Sequence, residues 1–347
     1  GNGVDPMDVI DQYGADTLRF FLTTNSAPGM DLRYIPEKLE ASWNFINKIW
    51  NSARFVLMNI DEDLEYKDLK FNHLNLCDKW ILNRLNNVIE EVDANMDKFE
   101  FVNVGSELYK FIWDDFCSWY IELTKVHLNS DNEVEKQASA HTLVYVLNAI
   151  VRMLHPFMPF VTEEIYQAIP HLEESICISK YPTVNPDFND ENINKQFTYL
   201  MDIVKGVREI RANYTIKNAI EVEYSIETKD ENLQALLDQC VPYLKKLCNA
   251  TCVGYNQKAS KDIATAMIQG GNTLIVELGA YVDKEAEKQK LQAELQKLEG
   301  EIKRCTNMLS NEKFVSKAPQ AKVDSERQKL EDYTSKYNAV KEKLAAM

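Results

Sequence analysis

The stretch from Phe99 to about Leu128 constrains the fold most, because its apolar residues cover more than half of the circumference of a helix. These residues recur at every third or fourth position, which predicts a helix with neighbours on several sides. Large rings within it, among them Phe111, Trp113 and Phe116, need packing partners in more than one direction. We therefore predict the central helix of an antiparallel bundle.

The flanking segments supply the partners of this helix. Long helices are predicted to begin at Pro36 and at Asp78, and another to run from Glu133 to about His155, where Pro156 stops it. Short connections between them favour antiparallel neighbours. The apolar stripe predicted for the first of these helices consists of Leu39, Trp43, Ile46, Ile49, Trp50, Ala53 and Leu57.

The amino-acid composition changes after Pro170, where prolines and a run of Asn and Asp indicate a linker. Alternating residues from Ile220 to Ile226 then predict a strand. Residues 233–248 predict one or two helices broken near Pro242, and residues 264–268 and 273–278 predict two strands joined by a two-glycine turn. This part is therefore expected to form a small α+β domain.

The carboxy-terminal residues carry two heptad patterns separated by Pro319. Because proline interrupts a helix, the two halves are predicted to fold back as an antiparallel coiled coil, an arm of about 43 Å. No further helix remains to cover its outer surface, so we expect the arm to need a partner. The predicted seam residues are Leu291, Leu295, Leu298, Ile302, Cys305, Leu309, Val323, Leu330, Tyr333, Tyr337, Val340 and Leu344, with Glu326 as the one polar member.

The predicted fold class is mainly α, with an antiparallel helix bundle, a small α+β domain and a coiled-coil hairpin in that order. The predicted domains are residues 1–35 as an amino-terminal segment, 36–180 as the bundle, 181–280 as the linker and small domain, and 281–347 as the arm.

The charge of the chain is uneven. The whole chain of 347 residues carries a net charge of -15, whereas residues 281–347 carry 12 Lys and 2 Arg against 12 Asp and Glu, a net charge of +2. The body therefore carries -17, which argues against nonspecific coating of nucleic acid. No apolar stretch approaches the roughly 20 residues that span a bilayer, so no membrane partner is expected.

Signals for catalysis and for metal binding are weak. The five histidines occur singly, the paired acids Asp114-Asp115 and Glu163-Glu164 are expected on solvated helix faces, and no glycine loop suits a phosphate. The seven cysteines are an odd, scattered set, typical of reduced thiols in a cytosolic protein. The spacing of Cys248 and Cys252 is a poor zinc signature. We predict no catalytic and no metal-ligating residue.

Binding signals are stronger at the distal half of the arm. Cations outnumber acids there around Phe314, an arrangement that suits a phosphate backbone with an exposed base. The alternative is a solvated coiled-coil surface with Phe314 filling the turn. The candidate residues are Lys303, Arg304, Lys313, Phe314, Lys317, Lys322, Arg327 and Lys329.

Several motifs resemble bacterial valyl-tRNA synthetases, which are class I aminoacyl-tRNA synthetases. Residues 1–6, 13–19 and 42–51 resemble the stretch after the KMSKS loop of that family, and residues 113–120 and 155–164 resemble its anticodon-binding bundle. Isoleucyl and leucyl enzymes share the pattern of the bundle. Residues 311–319 between the heptads are similar to the valyl tRNA-binding arm, whereas an isoleucyl enzyme would be expected to end in a cysteine-rich zinc module.

This resemblance implies the tRNA half of an ATP-dependent ligase that joins valine to tRNA(Val). The chain would start after the catalytic loop, so it is expected to be inactive alone and to hold no cofactor, while ATP and Mg belong to the catalytic domain. Residues 1–35 would brace the catalytic loop, the bundle would hold the anticodon stem and loop, and the arm would contact the outer corner of the RNA. The expected partners are tRNA(Val) and the protein's own catalytic and editing domains, in a cytoplasmic monomer.

The resemblance also suggests which bundle residues meet the anticodon, although core packing is the alternative for each ring. Glu37 beside Lys38 departs from the basic residue expected at the start of the first long helix. The candidates are Lys38, Trp43, Asn47 and Lys48 from the first long helix, and Trp113, Cys117 and Tyr120 from the central one.

Two alternative functions remain open. The acidic bundle with a coiled coil also fits a helical scaffold that docks another protein, and the bundle alone fits an isoleucyl- or leucyl-tRNA synthetase. An independent hydrolase has no supporting group of residues.

Overall fold

The computed structural model describes residues 3–26, 29, 32–230, 233–258, 262–281, 284–311 and 320–346. These residues form a mainly helical chain with one small sheet. Helices α1 to α12 span Pro6–Tyr13, Ala15–Thr24, Pro36–Leu57, Leu76–Asp97, Phe101–Lys110, Ile121–Leu128, Glu133–Leu154, Pro159–Ala168, Ile193–Asn213, Leu233–Cys248, Lys284–Leu309 and Gln320–Ala346, and strands β1 to β4 span Val222–Glu227, Ala250–Tyr255, Ile263–Ile268 and Asn272–Glu277.

The predicted central helix is confirmed as a continuous rod made of α5, a π-helical segment Phe111–Tyr120, and α6. The π-helical segment was not predicted. Its wider turn is seen where the Ser118 hydroxyl donates to the carbonyl of Trp113, five residues earlier, at 2.7 Å. A π-helical segment changes which side chains face inward, and such segments are frequent at functional sites.

The bundle is confirmed, and its core lies where α4, the central helix, α7 and α9 meet. The rings of Trp80 on α4 and Phe197 on α9 are stacked with centroids 3.7 Å apart and planes at 9°. Both rings are buried, so α9 joins the bundle to the domain that follows it.

Helix α4 begins earlier than predicted, and its cap is Asn75 instead of Asp78. Asn75 accepts hydrogen bonds from the backbone N–H groups of Cys77 and Asp78, and its own backbone N–H donates to the Asp78 carboxylate, which completes a capping box. Asp78 is fully buried and accepts from the hydroxyl groups of Tyr120 at 2.7 Å and Ser139 at 3.2 Å. Burial outweighs these hydrogen bonds and raises the pKa of Asp78 to about 6.

The amino-terminal segment packs on the bundle through polar anchors. Gly14 has φ of 85°, which allows the sharp turn between α1 and α2. Asp16 accepts hydrogen bonds from the backbone N–H groups of Phe160 and Val161 at the start of α8. Arg19 donates to the carbonyl of Pro156 at 3.1 Å. These contacts fix the segment beside the corner between α7 and α8.

The small α+β domain is also confirmed. Its sheet has the order β2-β1-β4-β3, with β1 parallel to β2 and the other two pairs antiparallel. Strand β2 was not predicted, and the predicted break near Pro242 is wrong, because Pro242 lies within the single helix α10. Helix α9 packs on β3 so closely that a Cβ added at Gly206 would lie 2.9 Å from the Cβ of Ala266.

The arm is the predicted helical hairpin, in which α11 and α12 pack against each other. Leu298, Cys305 and Val323 are buried in its seam, and Glu326 is buried with them. The predicted turn around Pro319 lies outside the described residues. In the part of the chain that the structure describes, no helix is long and apolar enough to cross a membrane.

Candidate nucleic-acid interface

The face of helix α3 that packs on the core overlaps only partly with the predicted stripe. Trp43 and Trp50 are 42% and 41% exposed, and Leu57 is exposed as well, so the predicted stripe is wrong at these three positions. Ser42 and Ser52 are buried in their place, because their hydroxyls donate to carbonyls one turn back in the same helix. The buried face consists of Leu39, Ser42, Phe45, Ile49, Ser52, Ala53 and Val56.

Four side chains contact one another in series from the core to the surface. We name this group the Trp113 stack, and it consists of Phe45, Tyr109, Trp113 and Lys48. The rings of Phe45 and Tyr109 have centroids 4.9 Å apart, and Tyr109 stacks on Trp113 at 5.5 Å with planes at 9°. The Nζ atom of Lys48 lies 5.6 Å from the centroid of Trp113. The outer rings are partly exposed, and the ammonium of Lys48 lies over the ring of Trp113.

Such an arrangement suits an unpaired nucleotide. Every base has a π-face that can stack on an aromatic ring, and a neighbouring lysine can pair with the phosphate. Tyr109 was not predicted to take part. The signal was available in the sequence, because Tyr109 and Trp113 are four residues apart and therefore neighbours on one helix face.

Two predicted anticodon contacts on the central helix are core residues. Tyr120 is fully buried, and its hydroxyl is used by Asp78. Cys117 is 4% exposed, and its sulfur lies 3.0 Å from the hydroxyl of Ser52. Because that hydroxyl already donates to the carbonyl of Lys48, the thiol must be the donor. Neither side chain offers a surface to a base, and burial raises the pKa of Cys117 to about 11.

The remaining α3 candidates are Lys38, Trp43 and Asn47. Lys38 is exposed in the first turn of the helix, and Asn47 is half-buried. Trp43 lines a shallow groove with Tyr13 of the amino-terminal segment and Phe160 of α8. Of the predicted set, Lys48 and Trp113 are in direct contact.

On the arm, several of the predicted cations form ion pairs with acidic side chains. The guanidinium of Arg304 pairs with Glu301 at 2.8 Å and with Glu326 at 3.7 Å, and Lys329 pairs with Glu326 at 2.7 Å. Glu301 was not predicted to take this role. Arg327 pairs with Asp324 at 3.7 Å.

Five arm candidates remain. Lys303 and Lys322 are exposed. Lys313, Phe314 and Lys317 lie outside the described residues, so their predicted contacts stay predictions.

Comparison with known proteins finds a matching family for the bundle region and another for the arm. Residues 78–226 match the family described as "Anticodon-binding domain of tRNA ligase", and residues 283–347 match "Valyl tRNA synthetase tRNA binding arm". The chain is 44% identical over 349 residues to valine–tRNA ligase of Enterococcus faecalis and 45% identical over 348 residues to that of Bacillus cereus. Over almost its whole length, the chain is similar to one part of valine–tRNA ligases.

The matches cover 99–100% of this chain, and the chain spans 39–40% of the length of these relatives. Among solved structures, the Agrobacterium radiobacter LeuRS–tRNA–LeuAMS complex has a TM-score of 0.42 and 20% identity, covering 53% of this chain and 21% of that one. The resemblance to valyl-tRNA synthetases noted from the motifs is confirmed, and the match to the valyl arm separates the chain from the isoleucyl and leucyl alternatives.

Proposed function

We propose that this chain is the tRNA-binding portion of a valine–tRNA ligase, and that the whole protein joins valine to tRNA(Val) using ATP. The observation that carries the proposal is the combination of an anticodon-binding helix bundle with the valyl-type arm in one chain. The arm carries exposed cations, and the bundle carries the partly exposed rings of Tyr109 and Trp113. These are the two kinds of group that bind RNA phosphates and unpaired bases.

The charge distribution suggests a division of labour between the two surfaces. The body is strongly acidic, so its contact with RNA must be local and guided by shape and stacking. The distal arm carries Lys303 and Lys322 at its surface, where they can neutralise phosphates. The arm would therefore supply most of the salt-dependent affinity, and the Trp113 stack would hold an unpaired nucleotide of the anticodon loop.

The bond-forming chemistry belongs, in this proposal, to catalytic and editing domains outside the chain. ATP and Mg would bind there, and residues 1–35 would brace the catalytic loop. We further propose a monomer that works in the cytoplasm. The predicted domain bounds and the anticodon contacts by Lys38 and Asn47 are part of the same proposal.

The arm's role can be tested by reversing the charges of Lys313, Lys317 and Lys322 in the full-length enzyme. Affinity for tRNA(Val) should fall, and the salt dependence of binding should flatten by about one unit of slope for each lysine–phosphate pair that the reversal removes. The measurement is a binding titration at several salt concentrations.

A matched control reverses three exposed lysines in the proximal half of the arm, Lys297, Lys336 and Lys341. This control changes the net charge by the same amount, so a smaller loss than for the distal variant would locate the contact. Equal losses would contradict a distal phosphate site. Equal, weak binding of tRNA(Val) and of an unrelated tRNA by the wild-type enzyme would favour the scaffold function instead.

A further inference from the structure

Three potential metal ligands meet where the end of α7, the helix α8 and the 3₁₀ turn Ile176–Ile178 come together. They are His155, which follows α7, Glu163 on α8, and Cys177 in the turn. One ligand atom from each lies within 4.8 Å of the other two. Sequence spacing did not reveal this group, because the partners of His155 come from positions 8 and 22 residues further along the chain.

The imidazole of His155 is held in the tautomer that a metal requires. The Thr162 hydroxyl donates to the carbonyl of Met158 at 2.6 Å, so its oxygen is left to accept from Nδ1–H of His155 at 2.8 Å. The proton is therefore on Nδ1, and Nε2 carries the free lone pair. Nε2 faces the sulfur of Cys177 at 3.3 Å. Metal-binding histidines are commonly oriented in this way, through a hydrogen bond at the other ring nitrogen.

The carboxylate of Glu163 is also oriented by neighbours. Gln167 donates to one of its oxygens at 2.7 Å, and Ser175 donates to the other at 2.9 Å. Both oxygens of the carboxylate therefore have a hydrogen-bond partner that holds the group in place beside His155 and Cys177.

We propose that His155 Nε2, Glu163 and Cys177 Sγ bind one Zn²⁺ ion, with water as the fourth ligand. The mixed nitrogen, sulfur and oxygen set suits zinc, whereas Mg²⁺ and Ca²⁺ prefer oxygen ligands throughout. On binding, the Cys177 thiol loses its proton to solvent and the thiolate forms the bond to the metal.

The bound ion would act structurally. It would fasten the turn that carries Cys177 to the corner between α7 and α8, the same corner on which Asp16 and Arg19 anchor the amino-terminal segment. Zinc binding is therefore expected to stabilise the folded state by mass action. No step of the proposed ligase reaction is assigned to this site.

The test is a titration of the metal-free, reduced chain with Co²⁺ and then with Zn²⁺. The wild-type protein should bind one equivalent of Co²⁺ and show a thiolate-to-cobalt charge-transfer band that Zn²⁺ abolishes. Replacing Cys177 with Ser should remove the band, and His155→Gln should weaken Zn²⁺ binding at least about tenfold, the scale on which even outer-shell partners affect metal affinity.

Cys252→Ser is the matched control, because Cys252 is the half-exposed member of the Cys248–Cys252 pair. This variant should bind both metals as the wild type does. The proposal is overturned if the wild-type chain takes up no stoichiometric metal, or if Cys177→Ser retains the charge-transfer band. Loss of the band in Cys252→Ser alone would place the metal at the Cys248–Cys252 pair and would equally overturn the proposal.

Discussion

A buried carboxylate lies in each of the two main parts of the molecule, and their pKa values move in opposite directions. Asp78 in the bundle is fully buried, and its direct partners are the neutral Tyr120, Ser139 and Asn75, so burial raises its pKa to about 6. Glu326 in the arm is 6% exposed, but hydrogen bonding by Lys329, together with Arg304 nearby, lowers its pKa.

The difference follows from the thickness of the two parts. The bundle encloses Asp78 on all sides, so removal of water dominates. The arm has a single seam between two helices, so long cationic side chains from its edges reach Glu326. The bundle thus derives its stability from enclosed rings and neutral hydrogen bonds, whereas the arm combines a narrow apolar seam with ions at its edges.

The largest expected effect is loss of the bundle's enclosed rings. Trp80→Ala should lower the free energy of unfolding by about 3–5 kcal/mol, because it removes the ring that stacks on Phe197 and leaves a cavity. Urea unfolding followed by circular dichroism measures the loss.

The matched control for that variant is Trp50→Ala, since Trp50 is 41% exposed. Its effect should stay within about 0.5 kcal/mol, as is usual for surface substitutions. Equal losses for the two tryptophans would mean that the α4–α9 stack is no more important to the body than an exposed ring.

The second expected effect is a pH dependence that comes from Asp78. Because its folded-state pKa of about 6 is above the ordinary aspartate pKa of 3.8, Asp78 stabilises the fold fully below pH 3.8, and this contribution is lost as pH rises through 6. Between pH 4 and 7 the loss amounts to up to about 3 kcal/mol.

The measurement compares wild-type and Asp78→Asn proteins by urea unfolding across that range. The difference in unfolding free energy should shift in favour of the variant as pH rises, because Asn does not ionise. A difference that is constant with pH would show that Asp78 keeps its ordinary pKa in the fold.

The periodicity of apolar residues was sufficient to predict the elements that bury one regular face. The central helix, the sheet hairpin and the arm were predicted because their apolar spacing follows one period over many residues. The failures have local causes. Strand β2 was missed because Cys252 and Gly254 interrupt its alternation, and its pairing with β1 brings together segments more than twenty residues apart.

The candidate site was harder to predict because a ring's type does not tell which way it points. On α3 the hydroxyls of Ser42 and Ser52 donate hydrogen bonds to carbonyls of the same helix, so both serines can be buried. Trp43 and Trp50 face outward instead. Tyr120 has the same aromatic character as Trp113, yet the π-helical segment directs it to Asp78. These outcomes depend on tertiary contacts that sequence spacing does not contain.

The third effect concerns RNA binding by the bundle. Trp113→Ala should weaken binding of tRNA(Val) by about 1–3 kcal/mol if one base stacks on the ring. Because every base has a π-face, the loss should be similar for the cognate anticodon and for a changed one, and filter binding with both RNAs measures it. Trp50→Ala serves again as the control, since Trp50 is an exposed tryptophan outside the Trp113 stack. Unchanged affinity in the Trp113→Ala variant would contradict stacking of a base on this ring.

The smallest expected effect is a change in RNA binding when the buried carboxylate of the arm, Glu326, loses its charge. If Glu326 holds Lys329 by charge, Glu326→Gln should release this lysine to pair with a phosphate, whereas Arg304 keeps its ion pair with Glu301. Affinity for tRNA(Val) should then rise modestly, and the salt slope should steepen by up to about one unit. Glu331→Gln removes the same charge from an exposed position on α12 and should change the slope less. Identical slopes in the two variants would show that the ion pairs at the seam already yield to RNA, and that Glu326 contributes only its charge.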